Sequence, residues 1–228
     1  MHLLLAQKGS VTDGDGEAID LGQEPGDICF LSAADTDLAG LAHAGRPGDP
    51  ALRLVNLMQL KHPMSVDTWI ERTGRHAKVI VARLLGGLSY WSYAVEALRA
   101  TADAHGIALA FVPGDDKPDP DCASYNTIPP ADADLLWSFL REGGPDNARA
   151  FLDGCEALAE GSAVEGEANP LLKAGAFYTT LEPVADAPHA AIICYRALVQ
   201  SGQTAPVHSL ALALETQGMA VTAIFVSS

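Results

Sequence analysis

The chain has 228 residues, 48% of them hydrophobic, which is enough apolar material for one sizeable domain and part of a second. Its 29 acidic and 14 basic residues leave a net charge of −15, which disfavours binding to nucleic acid or to anionic membranes. No apolar run reaches the roughly 18 residues of a membrane span, and the first residues lack the basic start of a signal peptide, so we expect a cytoplasmic protein.

Short apolar runs alternate with amphipathic segments along the first two thirds of the chain. Strands are expected at His2–Ala6, Asp27–Ser32, Leu52–Asn56, Val79–Ala82 and Ile107–Val112. Helices are expected between them, the first capped by Asp35 or Thr36 and the last two carrying Leu135 to Leu140 and Ala148 to Leu158. This alternation predicts an α/β fold with a doubly wound, mainly parallel sheet of about five strands, flanked by helices.

The centre of the chain gives the clearest of these signals. Apolar residues at helical spacing from Val66 to Ala77 precede Val79–Ala82, a run that is apolar on both faces, as is typical of a parallel strand. A polar, Gly-rich loop from Arg83 to Trp91 follows directly. Ligands of open α/β sheets bind at the carboxyl ends of strands, so this loop is a candidate site.

Composition divides the chain into three parts. Residues 1–158 are predicted to form the α/β head domain, and the Gly- and Pro-rich residues 159–188 a linker. Residues 189–228 contain one strand–helix–strand unit, the incomplete start of a second α/β domain. One such unit cannot bury both faces of its sheet, so we expect the chain to be the front part of a larger polypeptide.

Several common motifs are missing. No G-x-G-x-x-G follows the first strand, which disfavours NAD, and no phosphate-binding P-loop is present. The four cysteines are scattered without C-x-x-C spacing, so we expect ordinary free thiols. Asp13, Asp15 and Glu17 imitate the start of a calcium loop, but Ala18 stands where that loop needs Gly, which favours an acidic surface turn.

Five segments in this order resemble the amino-terminal part of the large, CobN-type subunit of aerobic cobaltochelatase. They are MHLLLAQKG, HPMSVDTWIERTGRHAKVIVARLLGGLSYWSY, PGDDKPDP, EGGPDNARAFL and YRALVQSGQTAPVHSLALALETQG. The large subunit of magnesium chelatase is a related family, but it shares mainly the strand-to-helix pattern that begins at Tyr195 and Arg196. The HPMSVD and RLLGG segments favour the cobalt family.

The resemblance implies an ATP-dependent chelatase that inserts cobalt(II), its substrate, into hydrogenobyrinic acid a,c-diamide in cobalamin biosynthesis. In that family two smaller subunits, one of them an AAA+ ATPase, hydrolyse the ATP. The large subunit holds the corrinoid and the metal. The resemblance therefore implies no cofactor bound to this segment, and catalytic residues in the remainder of the large subunit.

Binding a corrinoid and a metal needs cations for peripheral carboxylates, a surface for a flat ring and a ligand that releases the metal. His62 is the best metal-ligand or base candidate, because neutral imidazole suits cobalt. Simpler interpretations compete: His62 bonding a backbone group, Trp91 in the core, Asp115 and Asp116 in a turn. The substrate-binding candidates are Lys8, His62, Arg83, Tyr90, Trp91, Asp115, Asp116, Tyr195 and Arg196.

Two roles for the segment stay open at this point. It either helps to build the tetrapyrrole pocket, or it is a non-catalytic head that docks the smaller subunits, and we favour the head. An unrelated alternative is a stand-alone flavodoxin-like binding domain.

Overall fold

The computed structural model describes residues 17–181 and 185–227, so the expected strand His2–Ala6 and the candidate Lys8 lie outside the described residues. The main sheet is wholly parallel, which confirms the predicted α/β fold. In the described part of the chain it has four strands in the order β2-β1-β3-β4. They are β1 (Ile28–Ser32), β2 (Leu52–Asn56), β3 (Val79–Leu84) and β4 (Ala108–Pro113).

Six helices accompany these strands, and each amphipathic one turns its apolar stripe to the sheet. In α3, for example, Ala94, Val95, Leu98 and Ala102 are buried, and Gly106 ends the helix in the left-handed conformation at φ 68°. The helices are α1 (Asp35–Ala44), α2 (Pro63–Arg72), α3 (Ser92–His105), α4 (Pro120–Tyr125), α5 (Pro130–Glu142) and α6 (Pro145–Ala159). The prediction that Asp35 or Thr36 caps α1 was wrong, because Ala34 occupies the N-cap position and makes no side-chain hydrogen bond there.

The central strands β1 and β3 are buried on both faces, which explains their nearly continuous apolar sequence. Helices α2 and α3 contribute Val66, Trp69 and Leu98 to the core on one face. Helices α1, α5 and α6 contribute Leu41, Phe139 and Phe151 to the core on the other. The sheet is therefore doubly wound, with α1 and α2 on opposite faces.

Both outer edges of this sheet are covered by irregular chain. Along β2, the Gln23 side chain donates to Leu54 O at 3.2 Å, and Arg53 donates to Glu24 O at 2.6 Å. Along β4, Asn126 and Thr127 accept the backbone N–H groups of the strand at 2.7 Å each. These contacts satisfy groups that would otherwise invite pairing with another chain.

The described residues after α6 form a second sheet of three strands in the order β5-β7-β6. Strands β6 and β7 are parallel, and β5 pairs with β7 antiparallel. The segment 159–188, expected to be only a linker, contains β5; its Ala and Gly residues carry a weak strand signal. The elements are β5 (Ala174–Thr179), β6 (His189–Tyr195), α7 (Arg196–Gln200), α8 (Ala205–Thr216) and β7 (Ala220–Val226). Within the described ranges, no helix is both long and apolar enough to cross a membrane.

Candidate functional site

The carboxyl ends of four parallel strands meet at one edge of the main sheet, and most of the predicted site residues lie there. Because β1 has β2 on one side and β3 on the other, the winding direction reverses between β1 and β3. In doubly wound sheets this topological switch point is the usual place for a ligand.

Arg83 projects into the switch point from β3 and forms an ion pair with Asp37 of α1. Its Nη1 lies 2.8 Å from Asp37 Oδ1, and the two side chains are only 12% and 15% exposed. Ser32 donates its hydroxyl to the other oxygen of Asp37 at 2.7 Å, and Arg83 also donates to Leu140 O at 3.3 Å. The guanidinium predicted to bind a substrate carboxylate is thus already paired with a carboxylate of the protein.

A cavity of about 230 Å³ remains beside this ion pair, and α7, which follows β6 of the second sheet, lines one side of it. Gln200 and Ser201, at the end of α7, lie over Gly143 and Gly40. The backbone N–H of Gly144 donates to Gln200 O at 2.7 Å, and the Gln200 amide donates to Arg141 O at 3.2 Å. The end of α7 therefore packs against the protein's own switch point, beside the Arg83–Asp37 ion pair.

Tyr195 and Arg196, predicted as a pair, have separate surroundings. Tyr195 is 62% exposed on β6. Arg196 donates to the carbonyl oxygens of Leu171 at 2.8 Å and Leu172 at 3.1 Å, and its Nη2 lies 3.4 Å from the Glu142 carboxylate. Arg196 thus ties the second sheet to the end of α5.

Tyr90 and Trp91 line a smaller cavity of about 100 Å³, together with Met58 and Lys61. Trp91 is buried and donates its indole N–H to Leu60 O at 2.9 Å, so it belongs to the core and offers no open ring face. Tyr90 is half-buried, with its hydroxyl 3.6 Å from the sulfur of Met58. Of this pair only Tyr90 is partly accessible to a ligand.

His62 caps the amino terminus of α2. Its Nδ1 accepts the backbone N–H of Met64 at 3.1 Å, which leaves Nε2 as the nitrogen that could bind a metal. Among residues 17–181 and 185–227, no three His, Cys, Asp or Glu side chains are grouped closely enough to hold a metal ion. His62 would have to share a metal with ligands from elsewhere.

Asp115 and Asp116 follow β4 in an exposed turn. Asp115 accepts the backbone N–H of Lys117 at 3.0 Å, a local bond that is typical of Asp in turns. Both carboxylates remain accessible at the carboxyl edge. They lie in neither of the two cavities described above.

Asp37 and Ser32, which organise the switch point around Arg83, were not among the predicted site residues. A sequence signal existed for Asp37, since it lies in the first helical turn after a buried strand that ends in Ser32. The Arg83 partner is 46 residues away in sequence, so the pairing itself left no local signal.

Two further electrostatic features lie away from this edge. Arg149 pairs with Asp49 and with Asp153, and its proximity lowers the pKa of the Asp49 carboxyl. Desolvation raises the pKa of the Cys29 and Cys122 thiols to about 12, and it also raises the pKa of the Cys155 thiol. These three buried cysteines are unsuited to act as thiolate ligands or nucleophiles.

Comparison with known proteins relates the chain to one kind of enzyme subunit. It is 49% identical over its whole length to the aerobic cobaltochelatase subunit CobN of a Sinorhizobium species, and the match covers 19% of that protein. Over 66% of its length it is 46% identical to CobN of Pseudomonas aeruginosa, covering 12% of that protein. The chain thus spans about a fifth or less of these relatives. No family model matches it.

A similar fold occurs in the catalytic subunit of cobaltochelatase from Mycobacterium tuberculosis. The TM-score is 0.70 and the sequence identity 22%, and the match covers 88% of this chain and 16% of that one.

Proposed function

This chain belongs to the CobN family of aerobic cobaltochelatase subunits, and we propose that it contributes the amino-terminal part of a large subunit that inserts cobalt(II) into hydrogenobyrinic acid a,c-diamide. The identity of 49% along the whole chain to a CobN subunit is the observation that carries this proposal. It favours the cobalt over the magnesium chelatase family, and over a stand-alone flavodoxin-like domain.

The reaction would take place in the cytoplasm as part of cobalamin biosynthesis. Two smaller subunits, one an AAA+ ATPase, would couple ATP hydrolysis to insertion. Cobalt and the corrinoid are substrates here, and no resident cofactor is assigned to this segment.

Within that enzyme the segment acts as a head that docks the smaller subunits. The ion pairs of Arg83 with Asp37 and of Arg196 with Glu142 support this role. Because both guanidinium groups are paired with carboxylates of the protein, neither is available for the carboxylates of a corrinoid. The two cavities at the carboxyl edge, of about 230 and 100 Å³, are smaller than the roughly 300–1,000 Å³ of pockets that enclose drug-sized ligands. Cavities of about 470 and 530 Å³ lie at the opposite edge of the sheet, away from the predicted site residues.

The carboxyl edge also offers a surface for docking. Met64 and Leu85 are 61% and 54% exposed, and Met58 is 42% exposed. Met58 and Met64 follow β2 in the chain, and Leu85 follows β3. Exposed large apolar side chains are typical of protein–protein contacts, and methionine adapts well to a partner. We call Met58, Met64 and Leu85 the carboxyl-edge patch.

The first test concerns the corrinoid. In the full-length subunit, His62→Ala and Tyr90→Ala are titrated with hydrogenobyrinic acid a,c-diamide by absorbance. A head role predicts a Kd within about twofold of the unmodified subunit, since neither side chain would touch the ring. An increase of tenfold or more in either variant would instead place the tetrapyrrole at this edge.

The second test concerns docking. The double variant Met64→Asp, Leu85→Asp should reduce retention of the smaller subunits on the immobilised large subunit at least fivefold, because charged groups would have to be desolvated. Leu181→Asp, which changes an even more exposed leucine just after the end of β5, is the matched control and should retain them fully. Equal retention by the double variant and the control would remove the patch from the docking surface.

A further inference from the structure

The second sheet has one face covered by a helix and one face open. On the covered face Val221, Ala223 and Phe225 of β7 are buried, and α8 supplies Val207 and Ala211. Aromatic contacts confirm which face α8 covers: the ring of Phe177 lies 6.0 Å from His208 of α8 and 6.2 Å from Phe225.

The open face carries three rows of side chains, each crossing all three strands in register. Strand pairing places the residues of a row side by side. Alternation along β6 and β7 keeps the rows on one face, and a register shift between Ala176 and Tyr178 of β5 brings Thr179 to the same face. Ile193 and Tyr195, in the middle and at one end of this surface, are 68% and 62% exposed. The rows are Ala174–Val226–Tyr195, Ala176–Ile224–Ile193 and Thr179–Thr222–Ala191, and none contains a charged side chain. His189 lies on the same face at the start of β6, with its Nε2 3.5 Å from the hydroxyl of Thr222.

An apolar sheet face of this kind is stable when another layer covers it. The outer side of α8 gives the same indication, because Leu210 and Leu212 are 49% and 57% exposed there. A helix that is apolar on both sides is typical of the interior of a larger protein. The exposed surfaces of the second sheet and of α8 are therefore typical of a layer that lies inside a larger protein.

The free edge of β6 indicates what kind of element covers the open face. In the described part of the chain, β6 has a neighbour only on the side of β7. A crossover from β7 to a new parallel strand beyond β6 would run opposite to the crossover from β6 to β7. Because both crossovers are right-handed, their helices lie on opposite faces, and the second helix falls on the open face.

The main sheet of this chain already contains that arrangement. There β1 leads through α1 to β2, and the chain then returns through α2 to β3 on the other side of β1. Helix α1 packs on one face, and α2 packs on the other. Strands β6 and β7 correspond to β1 and β2, and the open face corresponds to the face that α2 covers.

We propose that the open face of the second sheet is covered by an amphipathic crossover helix from the CobN polypeptide outside these 228 residues, leading to a strand that pairs in parallel with β6. This inference rests on family membership and not on the docking role. The CobN relative that is 49% identical extends far beyond the match, which covers 19% of it, so polypeptide is available. A segment of the same chain also has a high effective concentration at this face.

The test uses the full-length subunit with Cys194→Ser, so that the neighbouring native thiol does not interfere. Ile193→Cys is introduced, and its alkylation rate is compared with that of Leu181→Cys, whose position is 94% exposed. Coverage by the subunit's own helix predicts alkylation at least 100-fold slower at position 193, independent of protein concentration. Rates within threefold of each other would overturn the proposal.

The other possible occupants give different results in the same experiment. Protection that is lost on dilution would identify a second copy, and protection that requires the smaller subunits would identify them; either result overturns the proposal. Hydrogen exchange of the unmodified full-length subunit provides a readout without substitution. The amides of residues 189–195 should be protected throughout, whereas exchange at the rate of a free edge strand would contradict a new neighbour for β6.

Discussion

The Arg83 guanidinium lies 2.8 Å from the Asp37 carboxylate, although 46 residues separate the two in sequence. This ion pair joins the end of β3 to the start of α1 across the switch point of the main sheet. It occupies the place where a ligand binds in many sheets of this type.

Removing the cation alone should destabilise the protein strongly. Arg83→Met leaves the largely buried Asp37 carboxylate without its counter-charge, and we expect a loss of about 3 kcal/mol in the free energy of unfolding by urea. The double variant Arg83→Met, Asp37→Leu should recover much of this loss. Arg72→Met is the control: its pair with Asp20 is about half exposed, so the change should cost about 1 kcal/mol or less. Equal losses in unfolding free energy for Arg83→Met and Arg72→Met would contradict the expectation that the buried ion pair matters more for stability than the exposed one.

Gly143 is expected to control how the second sheet contacts the first. Its backbone lies at φ 66°, ψ −169°, a region that other residues rarely adopt, and an added Cβ would lie 2.9 Å from the Cβ of Gln200. Gly144→Ala carries similar backbone strain, at φ 89° and ψ 162°, but its Cβ would meet nothing within 4 Å. Gly143→Ala should therefore lower the unfolding free energy about 1 kcal/mol more than Gly144→Ala. If both variants lowered the unfolding free energy equally, the Gln200 side chain would be shown to move away from the added Cβ without loss of stability.

Trp91 is expected to affect stability and not corrinoid binding. Trp91→Phe leaves the carbonyl oxygen of Leu60 without its indole donor in a buried position, which should cost about 1–3 kcal/mol in urea unfolding. Tyr90→Phe removes only a 3.6 Å contact with a methionine sulfur and should change stability by less than about 0.5 kcal/mol. A change in corrinoid Kd with unchanged stability in Trp91→Phe would restore the stacking role predicted from sequence.

Asp49 should make stability depend on pH in the acid range. Arg149 lowers the pKa of the Asp49 carboxyl in the folded protein below its usual value, so the stabilisation is present above about pH 4 and is lost as pH falls through the folded-state pKa. Asp49→Asn should therefore lower the melting temperature at pH 7, and the difference from the unmodified protein should shrink on acidification. Asp153→Asn, at the more exposed partner of Arg149, should show a smaller difference. A difference for Asp49→Asn that is constant with pH would contradict this linkage.

The strands of the main sheet could be predicted closely because burial on both faces leaves a continuous local signal. The expected and observed bounds of β2 are the same, and β3 begins at Val79 as expected. The strand β5 and the short helices α4 and α7 were missed. The Ala and Gly residues of β5 have low strand propensity, and they are extended because β5 pairs antiparallel with β7. This long-range pairing cannot be predicted from the local sequence.

The candidate site was predicted less completely than the strands, because its contacts join residues that are far apart in the sequence. Sequence indicated that His62, Arg83, Tyr90 and Asp115 follow or end strands of one sheet, and the parallel order brings their loops to its carboxyl edge. It could not indicate that Arg83 is paired with Asp37, whereas the burial of Trp91 in the core was already one of the interpretations that its sequence position offered. Whether any of these residues touches a corrinoid stays a prediction.

The sequence by itself determined the α/β class, most strand positions and the family, because these depend on local apolar periodicity and on residues in a fixed order. Only the tertiary structure decided which charged groups are available and which surfaces are covered. Ion pairs such as Arg83–Asp37 and Arg196–Glu142 join residues 46 and 54 positions apart, so their formation depends on packing. The open face of the second sheet likewise follows from strand order and register, which no single segment specifies.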